Sequence, residues 1–176
     1  DCHLHQRTAA EYIQRLYDRF PTAGIEYLCI KTILILPRNA YVTEHLNHEG
    51  VSWKEGPPID PAQPWYKALF ADDLEKKDAM EAFSATFPHP GVRFVSSSEN
   101  YLEMLPEQAS KGNALVKAAE LAGFRMENVY AIGDYYNDTE LLEAAGVSVV
   151  PENAPDDLKE QADLVVGHCY QGAVAD

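Results

Sequence analysis

The chain of 176 residues is long enough for one ordinary domain or two small ones, and its 46% hydrophobic and 24% charged residues are typical of a globular protein. The formal net charge of −14 repels nucleic-acid phosphates and anionic membranes, so we exclude both as partners. The longest apolar stretch, around Ile30–Leu36, is far too short to cross a bilayer.

Mixed helix and antiparallel strand is predicted for the first hundred residues. Apolar residues at helical spacing predict a helix over Thr8–Phe20, with Thr8 as its N-cap. β-branched and apolar residues predict one or two strands within Tyr27–Leu36. The four prolines of Gly56–Pro64 predict a loop. The other predicted elements are a strand at Trp65–Phe70, a helix at Asp72–Phe87, and strands at Val92–Ser96 and Tyr101–Leu105.

From Ser110 onward, helices and apolar strands alternate, which predicts a parallel sheet covered by helices. Ser110 is predicted to cap the first of these helices and Asn153 the last. The predicted elements are helices at Lys111–Ala122, Thr139–Ala145 and Ala154–Ala162, and strands at Val129–Gly133, Val147–Val150 and Leu164–Val166.

Three cysteines, Cys2, Cys29 and Cys169, lie far apart and lack C-x-x-C spacing. An odd number of cysteines at such separations is typical of free thiols in a reducing compartment, so we expect a cytoplasmic protein. The first residues have neither a basic start nor an apolar run, and we expect no signal peptide from them.

The strongest chemical signal is the sequence G-D-Y-Y-N-D at Gly133–Asp138, directly after an apolar strand. Ligands of parallel α/β proteins collect at the carboxyl ends of strands. Asp134, Asn137 and Asp138 place three oxygen-bearing side chains within five residues at such an end, which suits a hard cation such as Mg²⁺. The structural alternative is a polar loop in which Asp138 caps the following helix.

Lys111 is predicted in the first turn of its helix, where the helix dipole disfavours a cation. A lysine beside the N–H groups of a helix start can help to hold a phosphoryl group. Its position against the dipole therefore favours a functional role, and the alternative is a solvated surface lysine.

Short motifs in a fixed order resemble those of Cof-type phosphatases of the haloacid dehalogenase superfamily. They are K-G-N-A-L from Lys111, A-I-G-D with N-D from Ala131, Asn153-Ala154, Ala162-Asp163 and Gly172-Ala173-Val174. The resemblance implies a Mg²⁺-dependent hydrolase of phosphomonoesters, with a sugar phosphate or a similar small phosphorylated metabolite as substrate. Tyr135 departs from the pattern, since the family often has a small residue there.

Roles follow from the positions of the matching residues. By resemblance, Lys111 and Asn137 would contact the substrate phosphate, Lys111 stabilising the phosphoryl group during catalysis. Asp134 would bind Mg²⁺ and Asp138 would orient the metal shell, which makes these two aspartates the predicted metal residues. The family's nucleophile motif, D-x-D-G-[ST], occurs nowhere in the chain.

The resemblance also implies a fold. We expect an α/β protein in which residues 1–105 form an α+β cap and residues 106–176 form the C-terminal half of a Rossmann-like catalytic core. Because the nucleophile motif is absent, we expect a fragment that is inactive by itself.

Two other functions stay open at this point. One is a truncated, non-catalytic protein that at most binds Mg²⁺ and phosphate weakly. The other is a PHP-like metallohydrolase, because D-C-H-L-H at the N-terminus resembles a D-x-H-x-H motif in which His3 and His5 would bind zinc, iron or manganese. The structural alternative for this segment is a frayed terminus.

Overall fold

The computed structural model describes residues 3–30, 32–35, 37–55 and 64–175. It divides into two compact units, Asp1–Gln108 and Ala109–Asp176, which we call the N-terminal and C-terminal units. Within the described residues, every helix is too short or too polar to cross a membrane. The predicted loop at Gly56–Pro64 lies outside the described residues except for Pro64.

A six-stranded sheet with three helices forms the N-terminal unit. The elements are α1 (Gln6–Arg19), β1 (Gly24–Cys29), β2 (Ile33–Ile35), α2 (Ala40–Glu49), β3 (Trp53–Glu55), β4 (Trp65–Ala71), α3 (Leu74–Ser84), β5 (Val92–Ser96) and β6 (Tyr101–Pro106). The strand order is β3-β2-β1-β4-β6-β5, and neighbouring strands are antiparallel except for the parallel pair of β2 and β3.

Side chains of successive strand residues point to opposite faces of this sheet, and each face has its own core. One core contains buried residues of α1 and α3 packed on the sheet, including Leu16, Phe70 and Met80. The other contains Val42 and Leu46 of α2 packed on β2 and β4. The sheet is therefore a layer between two helical layers of different extent.

Two features of this unit differ from the sequence prediction. The first helix begins at Gln6, so Thr8 is not its N-cap and instead places its hydroxyl 3.2 Å from His5 Nδ1. Helix α2 and strand β3 were not predicted. The signals for α2 are Asn39, whose side chain accepts from the Val42 N–H, and Gly50, which ends the helix in the left-handed conformation.

The C-terminal unit alternates helix and strand as predicted. Its elements are α4 (Lys111–Ala122), β7 (Tyr130–Ile132), α5 (Thr139–Ala144), β8 (Val147–Pro151), α6 (Asp156–Gln161) and β9 (Leu164–Val166). The three strands form a parallel sheet in the order β7-β8-β9, which confirms the α/β fold class.

One of the two caps predicted in this unit is confirmed. Ser110 caps α4, since its hydroxyl accepts from the Asn113 N–H at 3.1 Å. Asn153 does not cap α6, because Pro155 occupies the N-cap position. The Asn153 side chain instead accepts from the Cys169 N–H at 3.0 Å, and so ties the chain after β9 to the loop after β8.

A buried carboxylate in the N-terminal unit makes its stability depend on pH. Glu26 is fully buried on β1, and His45 Nδ1 lies 2.9 Å from its Oε1. This hydrogen bond raises the pKa of His45 above its ordinary 6.5, more than burial lowers it, and the charge of Glu49 adds to the rise while that of Lys67 opposes it. The pair therefore stabilises the fold fully below about pH 6.5, and this contribution is lost as the pH rises through the raised pKa.

As the pH rises through the raised pKa of His45, we expect the melting temperature of the natural chain to fall more than that of a His45→Gln variant. Thermal unfolding monitored by circular dichroism at a series of pH values measures the difference. The matched control is His48→Gln, which removes an exposed histidine from the same helix. An unchanged pH slope in His45→Gln would show that the Glu26–His45 pair does not carry the effect.

Candidate functional site

The predicted site residues of the C-terminal unit come from two places in its fold. Lys111 begins α4, directly after the capping Ser110. Gly133–Asp138 follows the carboxyl end of β7, and its last three residues form a short 3₁₀ turn that leads into α5. The parallel β-α alternation thus places a polar loop at the end of a strand, where ligands of such folds bind.

Asp138 joins these two places. Its side chain is buried, and its Oδ1 forms an ion pair with Lys111 Nζ. Its Oδ2 accepts a hydrogen bond of 3.1 Å from the backbone N–H of Asp134. Asp138 occupies the N-cap position of α5, as the helix-capping alternative expected, but its side chain makes no cap hydrogen bond to that helix. One buried carboxylate therefore fixes both the lysine and the loop that carries Asp134.

Asp134 and Asn137 differ from Asp138 in their burial and in their bonding. Asp134 is exposed and Asn137 is half-buried. Among the residues that the structure describes, neither side chain has a hydrogen bond or an ion pair. Both side chains thus present oxygen atoms that are available to a ligand, next to a lysine whose side chain is 51% exposed.

The side-chain oxygen atoms of this site fit Mg²⁺ in part. The cation prefers oxygen ligands and retains waters and substrate oxygens in its shell, so a single free carboxylate such as that of Asp134 is a suitable anchor. Both oxygens of Asp138 are already engaged, which suits the orienting role expected for it. No group of three or more acidic, histidine or cysteine side chains able to hold a metal is found in the described part of the chain.

Two glycines permit this close packing. A Cβ on Gly133 would lie 2.5 Å from the Asp138 Cβ, and one on Gly112 would lie 2.4 Å from the backbone oxygen of Glu140. Gly112 therefore lets the start of α4 approach the start of α5, which brings Lys111 within reach of Asp138. Backbone cannot yield as a flexible side-chain tip can, so a methyl group at Gly112 must push the helices apart.

We expect Gly112→Ala to lower the free energy of unfolding by about 1–3 kcal/mol because of this overpacking. The sign of the change in the free energy of unfolding is the test, because replacing glycine by alanine inside a helix ordinarily stabilises a protein by up to about 1 kcal/mol. Urea unfolding of the two proteins measures it. A more stable Gly112→Ala variant would mean that the close contact between α4 and α5 does not exist.

The downstream motifs have structural roles in this fold. The carboxylate of Asp163 accepts from the backbone N–H and the hydroxyl of Ser148, at 2.8 and 2.9 Å, and these bonds lower the pKa of Asp163. Gly172 has a φ of +91°, a conformation that favours glycine. Ala154 and Ala173 are buried. These residues fix the connections around β8 and β9.

Tyr135 and Tyr136 directly follow Asp134 in the chain. Their rings are in edge-on contact with centroids 5.1 Å apart, and the Tyr136 hydroxyl donates to Asp157 at 3.3 Å. From the sequence, Tyr135 is noticed only as a departure from the small residue that the family often has, and no role is assigned to it. Its position directly after Asp134 makes it a neighbour of the proposed metal residue.

His3 and His5 near the N-terminus lie on either side of Leu4 in the chain. Leu4, between them, is buried and its N–H donates to the Trp65 oxygen at 2.7 Å, so the segment from Leu4 onward is not frayed. His5 Nδ1 contacts Thr8. The first two residues of the D-C-H-L-H segment lie outside the described residues.

A family model for haloacid dehalogenase-like hydrolases matches residues 4–176. The chain is 36% identical over 119 residues to a Bacillus subtilis phosphatase of 5-amino-6-(5-phospho-D-ribitylamino)uracil, YwtE, covering 66% of this chain and 41% of that protein. It is 38% identical over 112 residues to the Escherichia coli pyridoxal phosphate phosphatase YbhA, covering 63% of this chain and 40% of that protein.

The structure is similar to that of a haloacid dehalogenase-like hydrolase from Bacillus subtilis, with a TM-score of 0.82 at 23% identity. That match covers 98% of this chain and 70% of the other. The chain spans about two fifths of the length of the two curated relatives. Sequence match and shared fold agree, and the chain belongs to the haloacid dehalogenase-like hydrolases, in the Cof-type phosphatase group that its motifs resemble.

Proposed function

We propose that this chain carries the phosphate-holding and Mg²⁺-binding part of a phosphatase that hydrolyses small phosphomonoesters. The observation that carries the proposal is the bridge made by Asp138, which pairs with Lys111 and accepts from the Asp134 N–H. A cation and a free carboxylate are thereby held by one buried group. That combination serves a phosphoryl group and its metal ion better than it serves stability alone.

Each residue of the site would have its own chemical role in this reaction. Lys111 would hold phosphoryl oxygens, and its charge would offset the repulsion that a chain of net charge −14 exerts on a phosphate dianion. Asp134 and Asp138 would hold and orient Mg²⁺, which supplies neutralisation of phosphate charge when it is bound. Asn137 would donate from its side-chain amide to a phosphate oxygen. Asp138 would hold Lys111 and the loop that carries Asp134 in fixed positions relative to each other.

The nucleophile of such a reaction is not among these residues. The 176 residues contain no D-x-D-G-[ST] sequence, and the resemblance assigns the attacking aspartate to that motif. Loss of a covalent nucleophile costs several orders of magnitude in rate even when the charge-stabilising groups stay. We therefore propose that the 176 residues alone are inactive, and that activity belongs to a longer form that contains the motif.

The N-terminal unit is proposed to be the cap, which selects the substrate in phosphatases of this type. The proposal of a small phosphorylated metabolite as substrate, such as a sugar phosphate, is supported by the relatives. YwtE and YbhA act on phosphate esters of small metabolites, according to their names. The exposed free thiol of Cys169 supports the proposed cytoplasmic location.

The test is phosphate release by a longer form that carries D-x-D-G-[ST], assayed with p-nitrophenyl phosphate and with metabolite phosphates, in Mg²⁺ and in EDTA. We expect Mg²⁺-dependent turnover that Asp134→Asn abolishes and that Asp157→Asn, a nearby exposed carboxylate, leaves intact. The 176-residue chain should show none. Absence of turnover in the longer form would favour the non-catalytic alternative. Robust turnover by the 176 residues would mean that they contain another nucleophile.

A further inference from the structure

Two aromatic rings lie in the loop that carries the proposed metal residue. Tyr135 and Tyr136 come directly after Asp134, at the carboxyl end of β7, which is the edge of the sheet where ligands of such folds bind. The proposed metal and phosphate roles of this loop use oxygen and nitrogen atoms of its polar side chains, and neither ring takes part in them. The rings therefore require an explanation of their own.

The backbone at Tyr135 directs Asp134 and Tyr136 to the same side of the loop. Tyr135 has a φ of −145° and a ψ of 175°, which is an extended conformation. The side chains before and after an extended residue point the same way and start about 6–7 Å apart. The ring of Tyr136 therefore lies on the side of the loop to which the Asp134 carboxylate points.

Neighbouring groups hold the Tyr136 ring without covering it. The ring of Tyr135 packs against it with centroids 5.1 Å apart and an interplanar angle of 65°. Tyr136 is nevertheless 42% exposed. Single exposed aromatic residues are common on protein surfaces. Tyr136 differs from them because it is exposed beside polar groups that are proposed to bind a substrate, and a supported ring in such a place is preorganised for contact.

The residues around Tyr136 determine which part of a substrate would meet its ring. Asn137 is the next residue in the chain and is a proposed phosphate contact, and Asp134 lies two residues before Tyr136. A phosphoryl group bound by this loop would have Tyr136 between two of its contacts along the chain. The alcohol part of the ester, which is attached to that phosphoryl group, would then be next to the exposed ring.

The chemistry of the ring decides which alcohol part gains most from this contact. A planar ring would gain an aromatic contact with Tyr136 as well as burial of its apolar surface. A simple polyol would gain less, because its hydroxyl groups need hydrogen-bond partners when they leave water. The hydroxyl of Tyr136 already donates to Asp157 at 3.3 Å, and the rest of its ring is apolar.

We propose that Tyr136 is a specificity-determining residue, whose ring contacts the alcohol part of the substrate and favours phosphate esters that carry a planar ring over esters of simple polyols. The inference rests on the phosphatase proposal and narrows the substrate class of the same site. Tyr135 supports the Tyr136 ring and has no substrate contact in this proposal.

The test compares benzyl phosphate with glycerol 1-phosphate as substrates of a longer form that carries D-x-D-G-[ST]. Both are esters of primary alcohols, so the two leaving groups differ in the ring more than in reactivity. We expect kcat/KM for benzyl phosphate to be higher than for glycerol 1-phosphate by at least about fivefold. Tyr136→Ser should reduce this ratio about three- to tenfold and leave kcat/KM for glycerol 1-phosphate within about twofold of its original value.

The matched control is Tyr136→Phe, which keeps the ring, removes the hydroxyl and should keep the original ratio. Tyr136→Ser with an unchanged ratio would overturn the inference and leave the phosphatase proposal intact. An equal loss of kcat/KM for both esters in Tyr136→Ser would assign the ring to the structure of the loop instead. Loss of the ratio in Tyr136→Phe would assign the preference to the hydroxyl, which also overturns the inference. If the unmodified longer form hydrolyses neither ester, the phosphatase proposal fails, and the inference fails with it.

Discussion

Lys111→Ala is expected to lower kcat/KM for a phosphomonoester by about two orders of magnitude or more, about 3 kcal/mol of transition-state stabilisation, in a longer form of the chain that carries the nucleophile motif. The reason is positional. Lys111 is at the start of α4 with its side chain half exposed and its ammonium group paired with Asp138. A phosphoryl group beside Asp134 would meet this cation, which the buried carboxylate holds in place.

The matched control is Lys117→Ala, which removes a lysine from the same helix. Lys117 is exposed and pairs with Glu120, so its loss changes the net charge equally without touching the site. Steady-state kinetics and thermal unfolding should be measured on all three proteins. A Lys111→Ala enzyme with normal kcat/KM and a lowered melting temperature would assign the lysine to stability, and the phosphate-holding role would be wrong.

The sequence predicted the C-terminal unit more accurately than the N-terminal one. Alternation of helix and apolar strand depends on local patterns, and the bounds of α4 and β9 agree with prediction. Helix α2 was missed because its apolar stripe is weak, with Val42 and Leu46 as its buried residues. Its packing depends on β2 and β4, which are distant in sequence, and this contact is not visible in a local pattern.

The candidate site shows the same limit. The chemical types and spacing of Asp134, Asn137 and Asp138 indicated an oxygen-rich site after a strand. The spacing could not show that Asp134 is available to a ligand whereas Asp138 is engaged. This difference depends on a contact between Asp138 and Lys111, which are 27 residues apart. The Asn153 cap failed for a similar reason, since the backbone of Cys169 competes for its side chain.

Mg²⁺ binding should depend on Asp134 more strongly than on any other carboxylate of the C-terminal unit. Asp134 is exposed, and its carboxylate has no partner among the described residues, whereas Asp138 is occupied by Lys111 and the Asp134 N–H. With one free carboxylate, affinity in the 176-residue chain should be weak, with a Kd of about 1–10 mM. Asp134→Asn keeps the shape of the side chain and removes its charge, so binding should be lost while the fold is retained.

The most direct measurement is a Mg²⁺ titration of the 176-residue chain followed by ¹H–¹⁵N NMR, with Asp134→Asn and the exposed-carboxylate control Asp157→Asn alongside. We predict saturable shifts concentrated at the amides of Gly133–Asp138, absent in Asp134→Asn and preserved in Asp157→Asn. Equal Mg²⁺ affinity in Asp134→Asn, or shifts that map away from this loop, would contradict the assignment of the metal and phosphate site.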